Sequence, residues 1–210
     1  MTRITRVLAL VCALGAAGTV NANLFTNPGF ESGDLTGWTV KHTTNGQTLW
    51  ETVTTVDIDG GGPLGDSPAG DFCVGKIDYY GPNGGIDLTQ MLTLQAGVQY
   101  TIEYDYAIYM DYTPDWDGNA HAGNFGIVVD GTQLTYQYNG YIEKDTWMYG
   151  HISTTYTPGA SGTYDVGARI VREYLPSDLL HQYVDNFYIT PAPGALALLG
   201  LAGLIGRRRR

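Results

Sequence analysis

The side chains best suited to chemistry gather in one polar stretch, Asp111 to Asn124, which holds Tyr112, Asp115 and Trp116. An indole and a phenol can stack on the apolar C–H face of a pyranose ring while a nearby carboxylate holds the hydroxyls, each of which needs a partner. Tyr109 joins them because it lies on the polar side of the strand that leads into the stretch. These four residues are the candidate ligand contacts. The competing reading of Trp116 is packing beneath its own loop, and the sequence leaves both open.

Other constellations support less. Asp57-Ile58-Asp59-Gly60 and Asp115-Trp116-Asp117-Gly118-Asn119 offer carboxylates to a cation. An EF-hand loop, however, needs its glycine sixth and its glutamate twelfth. Neither stretch fits, and both read as solvated Asp-Gly turns. Glu103-Tyr104-Asp105 opens like the Glu-x-Asp-x-x-Glu strand of sandwich glycosidases, but Ala107 and Ile108 stand where the second glutamate belongs, so the catalytic pair is missing. Gly65-Asp66-Ser67 and Asp178-Leu179-Leu180-His181 mimic the serine and histidine blocks of esterases, whose fold alternates strands with helices that this chain does not offer. His42, His121 and His151 have no zinc-binding spacing. The expectation is a protein that is not an enzyme.

The elements that must position these residues are strands. From Val98 to Met110, Val98, Tyr100, Ile102, Tyr104, Tyr106, Ile108 and Met110 alternate with mostly polar residues, the signature of a long half-buried strand. Ile127-Val128-Val129, Asp130-Gly131 and Thr132 to Tyr138 spell a hairpin, because Asp-Gly supplies the positive φ angles of a two-residue turn. Further strands are expected at Trp38–Lys41, Leu49–Ile58, Phe72–Ile77, Thr89–Leu94, Trp147–Tyr156, Thr163–Val171 and Gln182–Thr190. Asp57–Asp71 and Asp111–Asn124 read as long loops. The pattern predicts an all-β antiparallel sandwich of jelly-roll type.

Charge narrows the partners. The chain carries a net charge of −10, yet six of its 11 Lys and Arg lie at the two ends; Asn23 to Thr190 holds five against 21 carboxylates, a formal −16. Such a surface repels a phosphate backbone, which excludes nucleic acid and favours calcium or neutral ligands such as sugars.

Both termini read as sorting segments. Thr2 to Arg6 is basic, Val7 to Val20 is apolar, and Val20-Asn21-Ala22 suits a cleavage site, so residues 1–22 read as a signal peptide and the mature chain is expected to start at Asn23. Cys12 leaves with that segment. Cys73 then cannot close an intrachain disulfide and is expected to be a small buried residue. Residues 191–210 run from Pro191-Ala192-Pro193-Gly194 through the apolar Ala195 to Gly206 to four arginines. This layout resembles the PEP-CTERM sorting signal, with Ala192 where the name-giving motif has glutamate. The resemblance implies a short hydrophobic sorting helix, an exosortase-type enzyme as partner, transient association with the inner membrane, and a final place at the cell surface or in the extracellular matrix.

Residues 23–190 carry a second resemblance. Asn23-Leu24-Phe25-Thr26-Asn27-Pro28-Gly29-Phe30-Glu31 followed by Gly37-Trp38, then Leu94 to Tyr104, Asp145-Thr146-Trp147 and Val184-Asp185-Asn186-Phe187-Tyr188-Ile189, are similar in order to carbohydrate-binding modules of the family 4/9/22 type. The resemblance implies the galactose-binding-like jelly roll and a structural calcium held by Glu31 and Asp185 with backbone carbonyls. It also implies that Trp38 and Trp147 are core residues, while Trp50 stays ambiguous. The expected function is non-catalytic binding of a cell-surface or matrix polysaccharide. The alternative is a structural matrix or envelope protein with no glycan site.

Overall fold

The computed structural model describes residues 23–43, 48–62, 66–74, 84–111, 119–172 and 180–192. Among them run β1 (Thr39–His42), β2 (Thr48–Asp57), β3 (Asp66–Val74), β4 (Gly84–Leu94), β5 (Tyr100–Met110), β6 (Asn119–His121), β7 (Asn124–Val129), β8 (Thr132–Tyr138), β9 (Tyr141–Glu143), β10 (Thr146–Tyr156), β11 (Gly162–Arg172) and β12 (Leu180–Pro191). One sheet has the order β1-β4-β11-β7-β8, the other β10-β5-β12-β3-β2, and β6 pairs with β9 in a small ribbon. All the pairings are antiparallel. The fold is an all-β jelly-roll sandwich. No helix among the described residues is long and apolar enough to cross a membrane. Residues 1–22, read as the signal peptide, and residues 193–210 of the tail read as 191–210 lie outside the described residues, whereas Pro191 ends β12 and the Ala192 amide donates to the Gln99 carbonyl at 2.7 Å.

Alternation builds the core as expected. Tyr100, Ile102, Tyr104, Tyr106, Ile108 and Met110 of β5 are all buried between the sheets. Tyr104 is fully buried, and its hydroxyl donates to the Gly126 carbonyl of the facing sheet at 3.0 Å. Burial pushes that phenol well above its ordinary range. The Asp130-Gly131 hairpin forms, with φ of 48° and 75°, and joins Val129 to Thr132.

Two expected loops are partly strand. Asp57 to Asp71 contains the first six of the nine residues of β3, with Asp57 opposite Asp66 and Thr55 opposite Pro68. Pro68 tolerates this position because β12 pairs with β3 only at Gly70 to Phe72, so no donor is needed there on that side. Asp111 to Asn124 contains β6. Its residues 112–118, with Tyr112, Asp115 and Trp116, lie outside the described residues, as do the side chains of Trp50 and Cys73.

The opening segment adds no strand of its own before Thr39 but is clasped onto the last one. Asn23 donates from Nδ2 to the Phe187 carbonyl at 2.6 Å and accepts the Ile189 amide at Oδ1, 3.1 Å away. Trp38, 8% exposed, stacks on Phe25 at 5.2 Å and meets the tilted Phe187 ring at 4.5 Å. It is a core residue as expected. Phe30 holds φ at 53°, a conformation that costs a bulky residue roughly 1–3 kcal/mol. Its complete burial against Trp38 and Phe187 offsets that strain.

The alternation of β12 changes phase midway. Leu180, Val184, Phe187 and Ile189 all face the core, because the ladder with β5 bulges between Asp185 and Tyr188, where Asn186 takes φ of 54°. One inserted residue transfers the odd positions from the outer face to the core.

Candidate functional site

The outer face of the β10-β5-β12-β3-β2 sheet carries the site. Registry sets its rows: Trp147 lies opposite Tyr109 and Tyr109 opposite His181; Tyr149 opposite Ala107 and Ala107 opposite Tyr183; His151 opposite Asp105 and Asp105 opposite Asp185. The Trp147 ring stands 4.7 Å from that of Tyr109 and 5.8 Å from that of Tyr149, the latter pair within 6° of parallel. Ala107 provides the gap that lets Trp147 reach Tyr183 diagonally at 5.5 Å, since a larger side chain would fill the row between them. Tyr183 in turn stacks with His181 at 5.8 Å. Trp147 remains 38% exposed and Tyr149 41%.

The turn after β2 folds across this face. Ile58 joins Val56, Ala69, Ala107 and Tyr183 in a small apolar cluster outside the main core, with Tyr109 packed against it. Gly60 then meets the Tyr149 ring so closely that a Cβ there would sit 2.9 Å from Cε2, at a φ of 70° that itself favours glycine. Between turn and sheet lies a cleft of about 300 Å³, lined by Ile58, Asp59, Asp105, Tyr149, Gly150 and His151. Burial, then the carboxylates of Asp57 and Asp59, raises the Tyr149 phenol above its ordinary range.

A hydrogen-bonded chain leads from the cleft to the end of the sandwich. The His151 Nδ1 and Asp105 Oδ1 atoms are 2.7 Å apart, and Asn186 Nδ2 donates to Asp105 Oδ2 at 3.0 Å. The Asn186 amide donates to Asp185 Oδ1 at 2.7 Å, and Ser67 Oγ to Asp185 Oδ2 at 2.9 Å. Asp185 is completely buried. Burial, with smaller contributions from Glu31 and Asp105, drives its carboxyl from 3.8 up to about 7 against the two hydrogen bonds.

The structure brings Glu31 and Asp185 together: a Cβ on Gly29 would lie 3.4 Å from Glu31 Oε1 and 3.5 Å from Asp185 Oδ1. A cation between them would relieve a buried carboxylate whose charge is otherwise disfavoured, and carboxylate oxygens are the hard donors that calcium takes. No group of three or more His, Cys, Asp or Glu among the described residues could hold a metal, so further ligands would be carbonyls and water.

The other sequence candidates divide. Tyr109 stands on the outer face as expected, its hydroxyl donating to Asp145 at 2.9 Å, the bond that chiefly raises its phenol. Tyr112, Asp115 and Trp116 lie outside the described residues. Trp147, expected in the core, is instead an exposed platform residue. Its strand buries the opposite side through Ile152 and Met148, while Trp147, Tyr149 and His151 face outward. That alternation is legible in β10, but two large aromatics invite assignment to the core. Tyr183, His181 and Asp59 were also missed, because they join the site only through sheet registry and the folded-over turn. Ser67 and His181 make no nucleophile–base pair, since Ser67 bonds Asp185 while His181 lies 3.3 Å from Asp71.

No protein-family model matches the chain, and no curated protein matches it. Among solved structures, the fold is similar to a CBM61 module in complex with beta-1,4-galactotriose, at 16% identity and a TM-score of 0.46 over 81% of this chain and 99% of that one. It is also similar to the CBM22 xylan-binding domain of Paenibacillus barcinonensis, at 12% identity and 0.42 over 81% of this chain and 95% of that one. A cyclase from Fischerella sp. TAU matches at 17% identity and 0.44 over 80% of this chain and 96% of that one.

Proposed function

We propose that the protein binds carbohydrate on the outer face of the β10-β5-β12-β3-β2 sheet and catalyses no reaction. The observation that carries this reading is the pair of exposed, near-parallel rings of Trp147 and Tyr149, the second of which lines a cleft together with Asp59, Asp105 and His151. Sugar rings stack on such surfaces through their C–H faces, while Asp59, Asp105 and His151 supply partners for hydroxyls. Affinity electrophoresis of the full chain through gels containing neutral, acidic and amino polysaccharides tests it. Retardation by at least one, lost in the Trp147→Ala, Tyr149→Ala double variant, is expected; no retardation by any overturns it and favours a structural matrix or envelope role.

The same reading includes a structural calcium held by Glu31 and Asp185, supported by their approach at Gly29 and the buried charge. It also includes export after cleavage at Ala22 and sorting of residues 191–210 by an exosortase-type enzyme, with brief inner-membrane association before release to the cell surface or matrix. The support for export and sorting is the basic-then-apolar start and the apolar-then-arginine end of the sequence. N-terminal sequencing and intact-mass measurement of the secreted protein test both cuts.

A further inference from the structure

We propose that the polysaccharide taken by this face carries free amines, so that the ligand is a cationic amino-sugar polymer rather than a neutral or uronic one. The inference rests on the carbohydrate-binding reading and adds the ligand's charge. Its first support is the distribution of charge between the two sheets. The five strands β10, β5, β12, β3 and β2 contain no Lys or Arg, yet they contain Glu51, Asp57, Asp66, Asp71, Glu103, Asp105 and Asp185. The described lysine and arginine side chains of the opposite sheet are already engaged, Lys41 with Asp165 and Arg169 with Asp87 through two 2.7 Å bonds. The strands beneath the rings therefore offer no Lys or Arg to a carboxylate or sulfate on a sugar, and Lys144 stands outside them in the turn before β10.

The cleft supplies the second support. Its polar lining consists of Asp59 and Asp105 with His151, and Tyr149 lines it with them. Carboxylates only accept hydrogen bonds, whereas an ammonium group only donates them, and an aromatic face adds attraction for a cation. Asp57, whose charge also reaches the Tyr149 phenol, has a buried Oδ1 with no hydrogen-bond partner among the described residues. Asp57 does not line the cleft, and its charge adds to the negative potential around the Tyr149 ring. A glucosamine unit stacked on Trp147 or Tyr149 presents a flat apolar ring and a charged donor together. A lysine side chain presents the donor without the ring, so the exposed indole favours the sugar.

The test titrates the full chain with a β-1,4-linked glucosamine oligomer and with its fully N-acetylated counterpart, which differ in charge and acetyl groups but share the backbone. At low salt the amine form should bind about tenfold tighter or more. That advantage should shrink on raising salt, because the Debye length contracts to about 8 Å at physiological ionic strength. Asp59→Asn and Asp105→Asn should each lower the ratio of the two affinities, whereas Asp165→Asn, on the opposite sheet, should not. Equal binding of the two oligomers, or tighter binding of the acetylated one, overturns the amine claim and leaves carbohydrate binding intact. A ratio that falls as much in Asp165→Asn as in the cleft variants overturns it in favour of general attraction to a negative protein. Oligolysine binding as tightly as the amine sugar overturns it in favour of a cationic peptide. Failure of both sugars and of every polysaccharide in the gels removes the carbohydrate reading itself.

Discussion

Trp147 and Tyr109 face each other directly across the β10–β5 ladder, with their rings 4.7 Å apart and the indole still 38% exposed. Tyr109 thus supports the ring that a ligand would meet. Trp147→Ala is expected to weaken retention on a binding polysaccharide by roughly 1–3 kcal/mol, the scale of a lost aromatic contact, with little change in melting temperature. Trp116→Ala in parallel tests the neighbouring loop: equal losses would place both on one binding surface, and a loss confined to Trp147 would remove Trp116 from the site. Unfolding of Trp147→Ala would show that the ring holds the sheet rather than a ligand.

The buried Asp185 makes the metal-free protein sensitive to pH. Its folded pKa of about 7 lies above the ordinary 3.8, so the folded state binds the proton more tightly than the unfolded chain does. The protonated form's advantage is complete below about pH 4 and is lost as pH rises through about 7, with a ceiling of about 4 kcal/mol at roughly 1.4 kcal/mol per unit. Denaturant melts in chelator at pH 5 and pH 8 should show the loss, and Asp185→Asn should flatten it. A wild-type protein as stable at pH 8 as at pH 5 would contradict the assignment.

Calcium is expected to reverse that loss. Binding to the folded state alone stabilises it by about 2.7 kcal/mol at 100 times Kd, so the melting temperature should rise with calcium at pH 8 and fall in EDTA. Because the ion needs the ionised carboxylate, its apparent affinity should increase with pH through about 7. Glu31→Gln should weaken the response. No shift with calcium, from protein that held no metal beforehand, would remove the ion from this site.

Gly60 ties the turn after β2 to the rings. An alanine there needs an unfavourable positive φ and drives its methyl to 2.9 Å from Tyr149. Gly60→Ala is therefore expected to cost about 1 kcal/mol or more in stability and to reduce polysaccharide binding as Tyr149 is displaced. Unchanged binding would show that the turn does not set the ring's position.

Much of this architecture is legible in the sequence where one local rule decides the outcome. Alternation marks β5 because its polar side holds Glu103 and Asp105 and its apolar side faces a single core. Asp130-Gly131 fixes its hairpin because few other residues accept that turn. The approach of Glu31 to Asp185 is different: it spans most of the chain and follows only from the motif-level resemblance. The platform was illegible for a third reason. Alternation shows that Trp147 and Tyr149 share a face but not which face is wet. The position of Asp59 depends on a turn crossing a sheet, which no local pattern encodes. Phe187 eluded simple alternation as well, since the bulge at Asn186 reverses the phase within one strand.

The last strand among the described residues, β12, lies in the middle of its sheet, between β5 and β3. Neither neighbour can complete its ladder until residues 180–191 are present, and Asn23 has nothing to clasp until Phe187 and Ile189 arrive. Any nascent fragment that stops short of β12 therefore leaves the sheet split into a β2–β3 ribbon and a β5–β10 ribbon, each with a bare edge. Joining the two halves of this sheet waits for synthesis to reach residues 180–191, and its reliance on such distant pairings makes it intrinsically slow. A chaperone that delays the joining of these two ribbons would thus forfeit none of the pairings that β12 makes.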